Sequence, residues 1–257
     1  MSDLSGKHGL VLGVANKRSI SWAIAQAAAA AGARLALTYP SARLEENVRE
    51  LGATLANPVL LPCDVTSDEQ LAALASSLEQ EFGGLDFIVH GAAFAPAAEL
   101  SNRFVHTSRE GFRTALDVSA YSLIALTAAC LPLLEKRGGG SVVTLTHIGS
   151  DRVFPNYNVM GVAKAALEAA VRYLAADLGP QNIRVNGVSA GPIKTLASAG
   201  IPGLSTMLQA QRERAPLRRA MELGEIAEAA VFLLSNASRA ITGEILMVDG
   251  GYHVVGI

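Results

Sequence analysis

Short apolar runs alternate along the chain with longer segments of helical period. His8 to Gly13, Arg34 to Tyr39, Pro58 to Pro62, Leu85 to His90, Ser141 to Thr146, Ile183 to Val188 and Glu244 to Val248 read as seven strands. They are continuous apolar runs, as expected of strands buried on both faces. Helical segments lie between them: Ser21 to Ala31, Ser67 to Phe82, Ser108 to Glu135, Asn156 to Leu178 and Glu222 to Ser235. In the second of these, Leu71, Leu74, Leu78 and Phe82 fall at i, i+3, i+7 and i+11, on one helix face. Strands alternating with crossover helices predict an α/β fold, a doubly wound parallel sheet covered on both sides. No Pro/Ser-rich linker divides the chain, so residues 1–257 are read as one domain. Ala190 to Gly203 is rich in small residues, Gly and Pro and reads as a loop or lid. The Ala27 to Ala31 run predicts close packing against the first strand.

Composition narrows the function classes. Half of the 257 residues are hydrophobic and 17% are charged, which suits a packed core and not a disordered chain. The net charge of -2 and the absence of a long basic block give nucleic-acid binding no support. Cys63 and Cys130 lie far apart and in no metal-ligand spacing. A disulfide framework and a metal site are therefore not expected, and a reducing cytoplasmic compartment is. The N-terminus lacks an apolar signal region and no uncharged run reaches membrane-spanning length, so no membrane association is expected.

In a doubly wound Rossmann-type sheet, ligands bind at the carboxyl ends of the strands, beside the first one. That strand ends in Gly13-Val-Ala-Asn-Lys-Arg-Ser-Ile-Ser-Trp22, which is not a G-x-G-x-x-G fingerprint. Gly13 can make the tight turn and small Ala15 permits close approach. The N–H groups of Ser19 and Ile20 would open a helix toward a pyrophosphate, with the Ser19 hydroxyl as a further donor. An ordinary strand-turn-helix connection explains the segment equally well. After the second strand, Thr38-Tyr39-Pro40-Ser41 carries no acid to grip an adenosine ribose. Arg43, Lys17 or Arg18 could instead meet a 2′-phosphate, so the coenzyme is not fixed here. Asp64, at the tip of the third strand, can accept from an adenine amino group or cap the following helix.

The chemistry points to Phe154-Pro-Asn-Tyr157-Asn-Val-Met-Gly161-Val-Ala-Lys164. Seven steps at 3.6 residues per turn bring Tyr157 and Lys164 to nearly the same direction, two turns apart. A phenol of pKa about 10 donates a hydrogen bond at neutral pH. A nearby ammonium favours its phenolate, stabilises developing negative charge and can hold coenzyme hydroxyls. On spacing alone, an interfacial tyrosine and a solvated lysine are the simpler account.

Taken together, Gly13-x5-Ser19-Ile20, Cys63-Asp64-Val65, Pro155 to Lys164, Gly191-Pro-Ile193-Lys-Thr195-Leu-Ala197, and Thr242-Gly-Glu … Val248-Asp-Gly-Gly251 resemble the bacterial enoyl-acyl-carrier-protein reductases, a divergent branch of the short-chain dehydrogenase/reductase superfamily. The resemblance runs through essentially the whole chain in order. Tyr-x6-Lys sets this branch apart from ordinary short-chain dehydrogenases, which use Tyr-x3-Lys. Position 161 is glycine here. The resemblance implies NAD(P)H-dependent reduction of trans-2-enoyl thioesters of acyl-carrier protein or coenzyme A, with NAD(H) favoured and NADP(H) open. It implies that Tyr157 donates to the thioester carbonyl and Lys164 binds the nicotinamide ribose. Gly13, Ala15, Ser19, Ile20, Gly91, Ile193 and Thr195 would line the coenzyme, with Asp64 and Val65 bracketing adenine. It also implies a substrate lid around 195–210 and a homotetramer. Apolar Ala165, Leu167, Ala169, Val171, Tyr173 and Leu174 exceed what one buried stripe needs, in keeping with such an assembly.

Three positions depart from the family pattern. His147 stands where many members have a second tyrosine; it either donates a hydrogen bond or proton, or fills space. Gly91-Ala92-Ala93 replaces a Ser-Ile-Gly, and the Ala93 methyl is expected to weaken diphenyl-ether inhibitors such as triclosan. Pro40 stands where NADH-using members often carry glutamine. The alternatives left open are a reductase of another enoyl or carbonyl substrate and a non-catalytic nicotinamide-binding sensor.

Overall fold

The computed structural model describes residues 2–195, 198 and 203–256. Seven parallel strands form one sheet in the order β3-β2-β1-β4-β5-β6-β7. They are β1 (His8–Leu12), β2 (Arg34–Tyr39), β3 (Val59–Pro62), β4 (Phe87–His90), β5 (Gly140–Thr146), β6 (Ile183–Ala190) and β7 (Ile245–Val248). Each expected strand is present. Successive side chains point to opposite faces. Val11, Leu37, Phe87, Val89, Val143 and Val188 enter one core. Leu10, Leu12, Ala36, Ile88, Val142 and Val185 enter the other.

Helices α1 (Ile20–Ala30), α2 (Ala42–Gly52) and α9 (Leu223–Leu234) cover the first face. Helices α3 (Asp68–Phe82), α6 (Ser122–Lys136) and α7 (Asn158–Leu178) cover the second. Leu71, Leu74, Leu78 and Phe82 are all buried, as their period requires. The alanine-rich α1 packs chiefly on α9, not on β1 as expected, because the small side chains admit a second helix.

The expected helix from Ser108 to Glu135 is a run of α5 (Arg109–Leu116), one π-turn (Asp117–Tyr121) and α6. By length and composition, Arg109–Lys136 would be long and apolar enough to cross a membrane. Its Leu123, Leu126, Cys130, Leu133 and Leu134 are buried. Three helices escaped the apolar pattern: α2, the short α4 (Ala97–Ser101), and α8 (Leu204–Arg214), which occupies much of the expected lid. The lid residues 196–197 and 199–202 lie outside the described residues.

Candidate active site

The strand order reverses between β1 and β4, and the carboxyl ends of both strands meet there. Gly13 leaves β1 with a φ of 96°. A Cβ on it would lie 2.4 Å from the Gly91 carbonyl oxygen, and one on Gly91 would lie 2.0 Å from Ser21 Oγ. The two glycines thus let both chains cross at the switch point, a crevice where a flat coenzyme can approach backbone. The N–H groups of Ala15 and Asn16 donate to Ser19 Oγ at 3.1 and 3.0 Å. The Ser19 N–H donates to the Asn16 carbonyl at 3.0 Å. Ser19 therefore shapes the loop, and the expectation that its N–H faces a phosphate is corrected. Ile20 opens α1, where a first-turn N–H has no helical acceptor.

Asp64 Oδ1 accepts from the Thr66 N–H and hydroxyl at 3.0 and 2.8 Å. The cap of α3 is Ser67, whose side chain accepts from the Gln70 N–H. Asp64 orders the turn, and half-buried Val65 packs against the core beside it. Beyond β6, the buried Ile193 side chain joins the first core. Thr195 and Ser198 cap one another: the Thr195 N–H donates to Ser198 Oγ at 2.8 Å and the Ser198 N–H to Thr195 Oγ1 at 3.0 Å. Arg43, Lys17 and Arg18 are exposed near the crevice-forming turns.

On the other side of the crevice, Tyr157 and Lys164 are both buried, at 7% and 5% exposure. Lys164 Nζ donates to the Leu145 carbonyl at 2.8 Å, leaving two N–H groups for other acceptors. Burial pulls its pKa down to about 8, against the raising effect of Glu168. Burial, and then Glu168, push the Tyr157 phenol well above its ordinary value. The expectation that Lys164 favours the phenolate is thus corrected: desolvation prevails, and the phenol stays a donor.

Tyr157 is presented by an unusual backbone. Asn156 and Asn158 have φ values of 64° and 41°. This is why α7 begins at Asn158 and not at Asn156. Asn158 Nδ2 donates to the Asn102 carbonyl at 2.8 Å, tying the start of α7 to the end of α4. Left-handed φ at non-glycine residues costs energy, and asparagine tolerates it best.

A family model described as enoyl-(acyl carrier protein) reductase matches residues 13–253. The chain is 49% identical to the NADH-type enoyl-acyl-carrier-protein reductase FabI of Bacillus subtilis, over 98% of this chain and 97% of that one. It is 46% identical to the corresponding protein of Aquifex aeolicus, over 100% and 95%. The chain belongs to the enoyl-acyl-carrier-protein reductase family. Among solved structures, the Bacillus cereus reductase with NADP+ and an indole naphthyridinone superimposes with a TM-score of 0.97 at 49% identity, each chain covered completely. The Anaplasma phagocytophilum reductase with NAD gives 0.95 at 45% identity, over 100% of this chain and 98% of that one.

In this reductase the Tyr-x6-Lys spacing has a steric cause. A Cβ at Gly161 would lie 2.7 Å from the Gly149 carbonyl oxygen, and one at Gly149 would lie 2.4 Å from the Tyr157 ring. The turn after β5 is pressed onto α7, so a lysine at position 161 has no room.

His147 lies in that turn. Its ring centroid is 5.0 Å from that of Tyr157 and 5.3 Å from that of Phe154. The Gly149 N–H donates to its Nδ1 at 3.0 Å, which places the ring proton on Nε2. Burial, and then Lys164, hold its pKa down at about 4, although Asp249 raises it. Phe154, Ile148, Met207 and Tyr252 line an adjacent cavity of about 490 Å³. The roles of Gly149, Asn158 and the cavity's Tyr252 depend on contacts across elements and leave no mark on the sequence. Among the described residues no cluster of three His, Cys, Asp or Glu could hold a metal.

Proposed function

We propose that this reductase saturates the trans-2 double bond of an enoyl thioester carried on acyl-carrier protein or coenzyme A, with NADH favoured over NADPH. The reading rests on one observation above the others: a buried phenol, Tyr157, caps α7 and a buried ammonium, Lys164, lies inside that helix, where the end of β5 and its following turn pack against it. The coenzyme, when bound, supplies a hydride to the β-carbon. Tyr157 donates its hydrogen bond to the thioester carbonyl and stabilises the enolate that develops there, before the α-carbon is protonated. Lys164 turns its free N–H groups to the nicotinamide ribose. Gly13, Ala15, Ile20, Gly91, Ile193 and Thr195 line the coenzyme, Ser19 holds its loop, and Asp64 and Val65 flank adenine. Residues 204–210, the first part of α8, act as the described part of a lid over the substrate. His147, neutral with its proton on Nε2, donates a hydrogen bond or packs. Of the apolar residues expected to face a partner copy, Leu167 and Val171 are buried in the core and Tyr173 is exposed, so Tyr173 is what supports a homotetramer; the proposed compartment is the cytoplasm.

The test is coenzyme oxidation with a short trans-2-enoyl thioester. Tyr157→Phe is expected to lower kcat by about 10²–10³, the usual loss of one oxyanion donor. Equal turnover by wild type and variant would remove the phenol from the reaction.

A further inference from the structure

Lys164 is a cation with little water around it, and the acceptor it has is the uncharged Leu145 carbonyl. The other titratable groups facing it bring no negative charge. His90 comes from β4, His147 from the turn after β5, and Tyr157 from the position that caps α7. Burial holds His90 at about 3 and His147 at about 4, and keeps the Tyr157 phenol protonated. Asp249, after β7, acts on His147. The carboxylate that acts on Lys164 is Glu168, four residues along α7 and therefore on the same face.

Glu168 is not a free surface acid. Its Oε1 accepts from the Thr146 hydroxyl at 2.6 Å. Leu145 and Thr146 are consecutive at the end of β5, so one strand end holds the ammonium by a carbonyl and the carboxylate by a hydroxyl. Each charge is thereby held by a partner on the same strand end, the ammonium by a backbone carbonyl and the carboxylate by a side-chain hydroxyl.

We propose that Glu168, fixed by Thr146, is a positioning residue that keeps Lys164 in its ammonium form. The consequence for coenzyme binding rests on the functional reading above, since it takes Lys164 as the ribose ligand. The charge relation itself does not.

The experiment follows [13Cε]lysine resonances in the coenzyme-free protein from pH 6 to 10, with Lys164 assigned by its loss in Lys164→Arg. Wild type should titrate near 8. Glu168→Gln should lower that midpoint by about one unit, as loss of a nearby opposite charge does. Thr146→Val should lower it by less, and Thr146→Ser, which keeps the hydroxyl, should match wild type. NADH affinity, read by nicotinamide fluorescence, should fall about tenfold in Glu168→Gln at pH 8.5 and stay unchanged at pH 6. An unchanged midpoint in both Glu168→Gln and Thr146→Val overturns the proposal. A shifted midpoint with unchanged NADH affinity upholds the charge relation and instead removes Lys164 from coenzyme binding.

Discussion

A phenol donates a hydrogen bond only while it keeps its proton, and a histidine is a strong general acid only while it is charged. Tyr157 meets the first condition and His147 fails the second. Folding holds His147 at about 4, below its ordinary value of 6.5, so the ring is neutral above pH 5 and gains a proton only on acidification. The expected outcome is a kcat that is flat between pH 5.5 and 7.5 on the account of this residue. An acid-base limb near pH 6.5 that disappears in His147→Phe would contradict it. The same depression lowers stability as pH falls from 6.5 toward 4, because the unfolded chain takes up a proton that the buried ring refuses.

At the scale of elements, the site is built where β5, its following turn and the start of α7 press together. Gly149 and Gly161 are the contact points, and neither has space for a Cβ. Gly161→Ala and Gly149→Ala should each cost about 1–3 kcal/mol, the usual range for overpacking. Each should also depress kcat through displacement of Tyr157. Denaturant unfolding with parallel turnover checks this, and a Gly161→Ala protein of wild-type stability would refute the packing account. The Tyr157–Lys164 pairing was legible as part of an ordered set of motifs, although Tyr157 caps α7 and does not lie within it. The tilt forced by Asn156 and Asn158 was not, since a left-handed residue leaves no mark on hydrophobic period. Helix α2 escaped for another reason. It buries only Val48 and Gly52 and is otherwise charged, so it carries almost no apolar stripe. Helix α8 buries only Gln211, which donates to the Asp249 carbonyl at 3.2 Å.

At the scale of the molecule, seven short strand-length runs made the parallel sheet legible, although the edge strands β3 and β7 are only partly buried, and strand order is a property of the assembled core. The reversal between β1 and β4 places the crevice, and only there do Gly13 and Gly91 become neighbours. Motifs separated by many residues were legible as an ordered set, whereas Glu168 and Thr146, ordinary singly, become informative once they touch. The central claim is that this assembly delivers a hydride to the β-carbon of an enoyl thioester. The direct measurement is the position of label in the product of a trans-2-enoyl thioester reduced, in ordinary water, by NADH carrying deuterium at both C4 positions. One deuterium at the β-carbon, with the α-hydrogen drawn from solvent, is the predicted result. Deuterium at the carbonyl carbon, or a product without label, would contradict it.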